Sequence, residues 1–247
     1  MVAVISLTWR RPGSILRLLK SAIQTLHLSP LESTSSVKKK KIETKIMTPR
    51  PPSVEQDQVP VQLRATRGRL SRWIGRAFFT LSGWRLMGEI PDVKRCLLIG
   101  APHTSNWDFV LAMASILALN LKMRWLAKHT IFMPGVSWFF EWLGGISTNR
   151  NEANTIVDKV ASIAEREGGV VIAITPEGTR KKVVKWKTGF LRLAQTLDCP
   201  ILMVGLSFST KQVVIGELFY PTGDNDQDLV SIRRYYDQFD GKYPDQF

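Results

Sequence analysis

Two short stretches of this 247-residue chain gather side chains that could do chemistry. In Pro102-His103-Thr104-Ser105-Asn106-Trp107-Asp108 a histidine stands five residues before an aspartate, the pairing of a general base with an acid that orients it. In Thr175-Pro176-Glu177-Gly178-Thr179-Arg180 a charged glycine turn ends in arginine, a planar fork suited to phosphate. Lys181 and Lys182 add positive field beside it. A base at the first stretch and an anion clamp at the second would suit proton removal from a substrate that carries a phosphate.

The pair needs a particular backbone. Five positions along an α-helix turn through about 500°, leaving the two side chains roughly 140° apart. His103 and Asp108 can therefore meet only if His103 ends a loop and Asp108 lies in the first turn of the next helix. Thr104, Ser105 and Asn106 are good helix-start residues, so the local sequence supports that geometry. Asp108 would then face one ring nitrogen and leave the other free as a base. The spacing alone is weak evidence, because with three histidines it arises by chance in roughly one such chain in eight. The run Glu177-Gly178-Thr179-Arg180 is far more specific.

The elements around these motifs alternate. Short apolar strands are expected at Cys96–Ile99, Met123–Ala127, Gly169–Ile174 and Ile201–Leu206. Helices are expected from about Asp108, over Trp138–Leu143, over Asn151–Glu167 with Ile156, Val157, Val160 and Ile163 inward, and over Trp186–Leu197. This pattern predicts an α/β fold with a mainly parallel sheet flanked by helices, plus an N-terminal basic amphipathic helix. Both motifs follow strands, and sites in such sheets gather at the carboxyl ends of strands. Upstream, Leu70, Trp73, Ile74, Ala77, Phe78 and Leu81 follow helical spacing, with Arg69, Arg72 and Arg76 on another side. Such a helix suits either a bilayer headgroup region or packing on the domain.

The charge balance is strongly basic, 34 Lys and Arg against 21 Asp and Glu, or +13. Nucleic acid and anionic membranes both attract such a chain. No zinc-finger or RNA-binding motif accompanies the charge, so nucleic acid is not expected as a partner. The two cysteines, Cys96 and Cys199, have no paired spacing and are expected to be buried and reduced, with no metal site. No apolar run reaches the roughly 18–20 residues of a spanning helix, so membrane contact is expected to be peripheral. Residues 1–60 read as a basic tail and disordered linker, and 61–247 as the catalytic domain, with 61–90 as an amphipathic membrane-contact region.

Four blocks spanning 102–204 resemble, in order, those of the glycerophospholipid acyltransferase family, which includes 1-acylglycerol-3-phosphate acyltransferases. They are the His103…Asp108 block, Gly144-Gly145-Ile146-Ser147-Thr148-Asn149-Arg150, Pro176 to Arg180, and Cys199-Pro200-Ile201-Leu202-Met203-Val204. The resemblance implies His103 as general base, Asp108 as its orienter, and Arg150, Glu177, Gly178, Thr179 and Arg180 around the acceptor. It implies no cofactor beyond an acyl-CoA or acyl carrier protein thioester, with lysophospholipid as acceptor and an anionic membrane surface, on the cytoplasmic face, as the place of work. Four positions depart from the family pattern: Pro102 for asparagine, Thr175 for an aromatic, Lys181 for a small polar residue and Met203 for a second proline. They leave the catalytic pair untouched and the acceptor open. Two other readings stay open at this point: a Ser-His lipid hydrolase using Ser105, which lacks the Gly-x-Ser-x-Gly elbow, and a non-catalytic membrane-surface protein. His129 is a further pocket candidate with no chemical argument behind it.

Overall fold

The apolar strands expected at Cys96–Ile99 and Ile201–Leu206 are buried on both faces, which only a sheet covered twice can provide. A computed structural model of the protein describes residues 58–148 and 153–247. Residues 1–57 of the expected tail, and Arg150 with its neighbours Asn149, Asn151 and Glu152, lie outside the described residues. Seven strands, β1 (Arg85–Met87), β2 (Arg95–Ala101), β3 (Met123–Lys128), β4 (Gly145–Thr148), β5 (Val170–Ile174), β6 (Ile201–Ser207) and β7 (Gln212–Phe219), form one sheet in the order β1-β7-β6-β2-β5-β3-β4. Neighbours are parallel except β6 and β7, so β6, β2, β5, β3 and β4 all point their carboxyl ends at one edge.

Side-chain alternation divides the core between the two faces. On β2, Cys96 packs on one side while Leu97, Ile99 and Ala101 pack on the other. The first side is covered by α1 (Arg69–Ser82) and α2 (Asn106–Leu119), through Phe79, Leu111, Ile116 and Leu119. A short α3 (Ser137–Trp142) precedes β4. The second side is covered by α4 (Ala153–Glu167), α5 (Gly189–Thr196) and α6 (Asn225–Tyr236), through Val160, Phe190, Leu191, Leu229 and Ile232. Cys96 and Cys199 are free and buried, and burial pushes their thiols up to about 12 and about 11.

Two features differ from the sequence expectation and a third refines it. Val59 is fully buried and Gln58 bonds the Gly88 carbonyl, so the linker expected to reach Pro60 has already given way to folded chain at Gln58. Gly145–Thr148, which lies outside the strands expected from the sequence, is the edge strand β4. The third concerns α1. Its inward contact is made by Gly75, where a Cβ would sit 2.3 Å from the Ala118 backbone nitrogen, and by Phe79. Leu70, Trp73, Ile74 and Leu81 are left exposed. Small residues let the two helix backbones close, and that contact, rather than the apolar stripe, selects the inner face.

Candidate active site

β2 ends at Ala101, and a cis peptide bond leads into Pro102. His103 follows in the loop, and Ser105, in extended conformation, caps α2. Asp108 is the third residue of that helix and closes a capping box with Ser105. Its carboxylate accepts from the Ser105 N–H at 2.7 Å and from the Ser105 hydroxyl at 2.8 Å. The same carboxylate lies 3.2 Å from His103 Nδ1. Asp108 is 4% exposed and the His103 ring 17%. The helix start thus turns a carboxylate back onto the loop histidine, the arrangement the five-residue spacing requires. Among the described residues the opposite ring nitrogen, Nε2, has no hydrogen-bond partner.

Ser105 is fully engaged: 5% exposed, its hydroxyl donates to Asp108 and accepts from the Trp107 N–H at 3.2 Å. A hydroxyl held between an acid and a helix N-terminus serves as a cap, which speaks against a nucleophilic role.

The second motif sits at the end of the neighbouring strand, β5. Glu177 does not face open space as a residue meeting an acceptor would. It is 3% exposed, and both of its oxygens take the His103 backbone N–H, at 3.0 and 3.1 Å. Burial pushes its carboxyl up to about 7, against the pull of that N–H and of the imidazole. Glu177 therefore positions the His103 backbone from behind. Gly178, with φ +62°, turns the chain over a Gly178 N–H to Thr175 carbonyl bond of 3.1 Å. Thr179 shapes the same turn, its hydroxyl accepting from the Lys181 N–H at 3.3 Å. Arg180 emerges exposed, and among the described residues its guanidinium has no hydrogen bond or ion pair. The fork is thus free for an anion on the edge where His103 stands. β4 delivers the chain to that edge at Thr148, two residues before Arg150, which lies outside the described residues. His129 is exposed at the end of β3 and joins neither motif.

The sequence reading assigned no role to residues 207–247, yet they brace both motifs. The Tyr236 hydroxyl donates to the Ile99 carbonyl at 2.7 Å inside the core. The Tyr243 N–H donates to the Thr104 hydroxyl at 3.2 Å. The Gln246 amide, turned so that its nitrogen donates, reaches the Arg180 carbonyl at 2.6 Å and the Thr104 carbonyl at 3.2 Å, joining the two motifs through one side chain. Only the aromatic spacing of Tyr236, Phe239, Tyr243 and Phe247 marks this segment in sequence, and it carries no chemistry of its own. Beside Trp107, a cavity of about 410 Å³ opens between Phe78, Ser82, Trp84, Leu111, Phe208 and Lys242. Its lining is mainly apolar, and the Lys242 ammonium sits 5.1 Å above the Trp107 ring.

Residues 87–207, which contain both motifs, match the family model described as Acyltransferase. No curated protein matches the chain. Among solved structures the chain is similar to the 1-acyl-sn-glycerophosphate (LPA) acyltransferase PlsC from Thermotoga maritima, at 22% identity and a TM-score of 0.48, over 68% of this chain and 77% of that one.

Proposed function

Through residues 87–207 the chain belongs to the acyltransferase family, and from that premise we propose that it moves a fatty acyl group from an acyl-CoA or acyl carrier protein thioester to a hydroxyl of a lysophospholipid such as 1-acylglycerol-3-phosphate, in phospholipid biosynthesis. The observation that carries the reading is the His103–Asp108 contact of 3.2 Å, with Nε2 left unpartnered among the described residues.

The division of labour follows from acidity. A thioester leaves as a thiolate whose conjugate acid has a pKa near 8.5, so it needs little protonation. The attacking alcohol is a far weaker acid, and removing its proton is the hard part. His103 Nε2 takes that proton as the oxygen attacks the acyl carbonyl, and Asp108 stabilises the imidazolium that forms. Collapse of the tetrahedral adduct breaks the carbon–sulfur bond and releases the thiolate. Arg180, free and planar, holds the acceptor phosphate. The apolar cavity beside Trp107 offers room for an acyl chain one helical turn from Asp108.

Among the described residues no helix is long and apolar enough to cross a membrane. The outer face of α1, with Leu70, Trp73 and Ile74 exposed beside Arg69 and Arg76, supports peripheral contact with an anionic membrane, in our reading on its cytoplasmic face. The engagement of Ser105 disfavours the hydrolase alternative.

Thiol release measured over a panel of lysolipid acceptors with both donor types tests the proposal. Release should depend on the acceptor and fall by about 10²–10⁴-fold in His103→Ala, the share of a positioned base. Near-wild-type turnover in that variant would overturn the assignment. Equal release without any acceptor would restore the hydrolase.

A further inference from the structure

The segment between β3 and β4 carries a cluster of rings that the chemistry above does not use. α3 reads Ser137-Trp138-Phe139-Phe140-Glu141-Trp142, four rings in six residues. Phe140 packs inward, edge-on to Trp125, Phe132 and Phe109 at centroid distances of 6.1, 6.2 and 6.1 Å. The others face out: Trp138 is 67% exposed, Phe139 41% and Trp142 47%, with Met133 at 59% just before them. They are held in place while exposed. Phe139 stacks on Trp142 at 6.1 Å, and Trp138 Nε1 donates to the Gly135 carbonyl at 3.0 Å.

This cluster adjoins α1. The Arg67 guanidinium sits 5.5 Å over the Trp142 ring and donates to the Leu121 carbonyl at 2.8 Å. Two residues later α1 begins, presenting Leu70, Trp73 and Ile74 outward. α1 then runs about 21 Å to Ser82, which lines the cavity beside Trp107. Exposed apolar side chains thus stand on α3 and on the outside of α1, with Arg67 between them. Clusters of exposed apolar side chains of this kind mark an interaction site.

Charge selects the occupant. Residues 61–88 contain six arginines and no acid, and α3 adds one acid, Glu141. A second copy of the same face would set arginine against arginine. Residues 1–57, with ten Lys and Arg against four acids, are repelled in the same way. An anionic bilayer satisfies both halves of the surface, since phosphates take the arginines and the headgroup boundary takes tryptophan rings.

We propose that Met133–Trp142 is a second membrane-insertion site, which together with the outer face of α1 lays that helix flat on an anionic lipid surface with the cavity beside Trp107 at its far end. The proposal rests on the reading that the substrate is a membrane lipid, but its test does not depend on turnover. The full chain and its Trp138→Ala/Phe139→Ala variant are sedimented with vesicles of phosphatidylcholine and phosphatidylglycerol at three to one. The melting temperature and thiol release from detergent-dispersed substrate are followed in parallel. The variant should partition at least about tenfold more weakly, with melting and detergent turnover unchanged. Equal partition of the two proteins overturns the proposal. So does wild-type protein that stays in the supernatant as a dimer which the variant dissolves, since the rings would then serve a second copy. Vesicle binding that depends on the rings, in a protein that never releases thiol, would support the insertion site and strike the proposed reaction instead.

Discussion

Asp108→Asn separates the orienting role of the carboxylate from its structural role. Asp108 Oδ2 faces the Ser105 N–H and His103 Nδ1, both donors, so the asparagine oxygen must occupy that position. Its amide nitrogen then points at the Ser105 hydroxyl, 2.8 Å away, which can reverse and accept. The cap survives with neutral bonds in place of charge-assisted ones, at a cost of about 1–2 kcal/mol. For a domain of this size that lowers the melting temperature by about 2–8 °C. The imidazolium, by contrast, loses the carboxylate that faces its Nδ1, so kcat for thiol release should fall by about 10²–10³-fold with the acceptor KM little changed. Ser105→Ala is the counterpart: it removes the cap hydroxyl and leaves Asp108 charged, so it should cost comparable stability while keeping kcat within about tenfold. The reasoning fails if Asp108→Asn keeps activity within tenfold, or if the two variants lose kcat equally.

Three further outcomes are expected. Arg180→Lys keeps the charge and loses the fork, so it should raise the acceptor KM with kcat nearly intact; a drop in kcat alone would place Arg180 on the transition state instead. Glu177, with its folded carboxyl raised to about 7, binds a proton in the native state that the unfolded chain has already released above about pH 4.5. Its contribution to stability therefore falls as pH rises from about 4.5 through 7, and calorimetry from pH 4.5 to 8 should show a smaller decline in Glu177→Gln, whose amide oxygen still accepts the His103 N–H; identical slopes would refute the burial argument. Gly75→Ala drives a methyl group to 2.3 Å from a backbone nitrogen of α2, so it should destabilise by about 1–3 kcal/mol despite alanine's better helix propensity; an unchanged thermal melt would show that α1 is not seated there.

The His103 loop was legible because its geometry is local. Helix-start residues between His103 and Asp108 leave one way for the pair to meet, and the fold adopts it. The central strands were legible because β-branched apolar runs such as Val170–Ile174 have few alternatives. What escaped the sequence depends on distant partners. Glu177 looks like a residue for an acceptor until the adjacency of β2 and β5 puts it behind the His103 N–H, 74 residues away in the chain. β7 and β1 pair with each other across 127 positions, and three residues of β1 announce nothing by themselves. Which face of α1 turns outward was left open by the sequence for a different reason. Hydrophobic period reports which residues share a side, whereas the side that turns inward was settled by Gly75 against Ala118.

The brace formed by Tyr236, Tyr243 and Gln246 has a consequence for the order of events at the ribosome. The His103 loop is synthesised more than 130 residues before the groups that fix Thr104 and link it to Arg180. At roughly 5–20 residues per second, the loop spends many seconds outside the ribosome without its backing. The His103 loop and the Arg180 turn are locked together only when residues 236–246 have emerged, so a nascent chain would hold both motifs and still lack their fixed geometry.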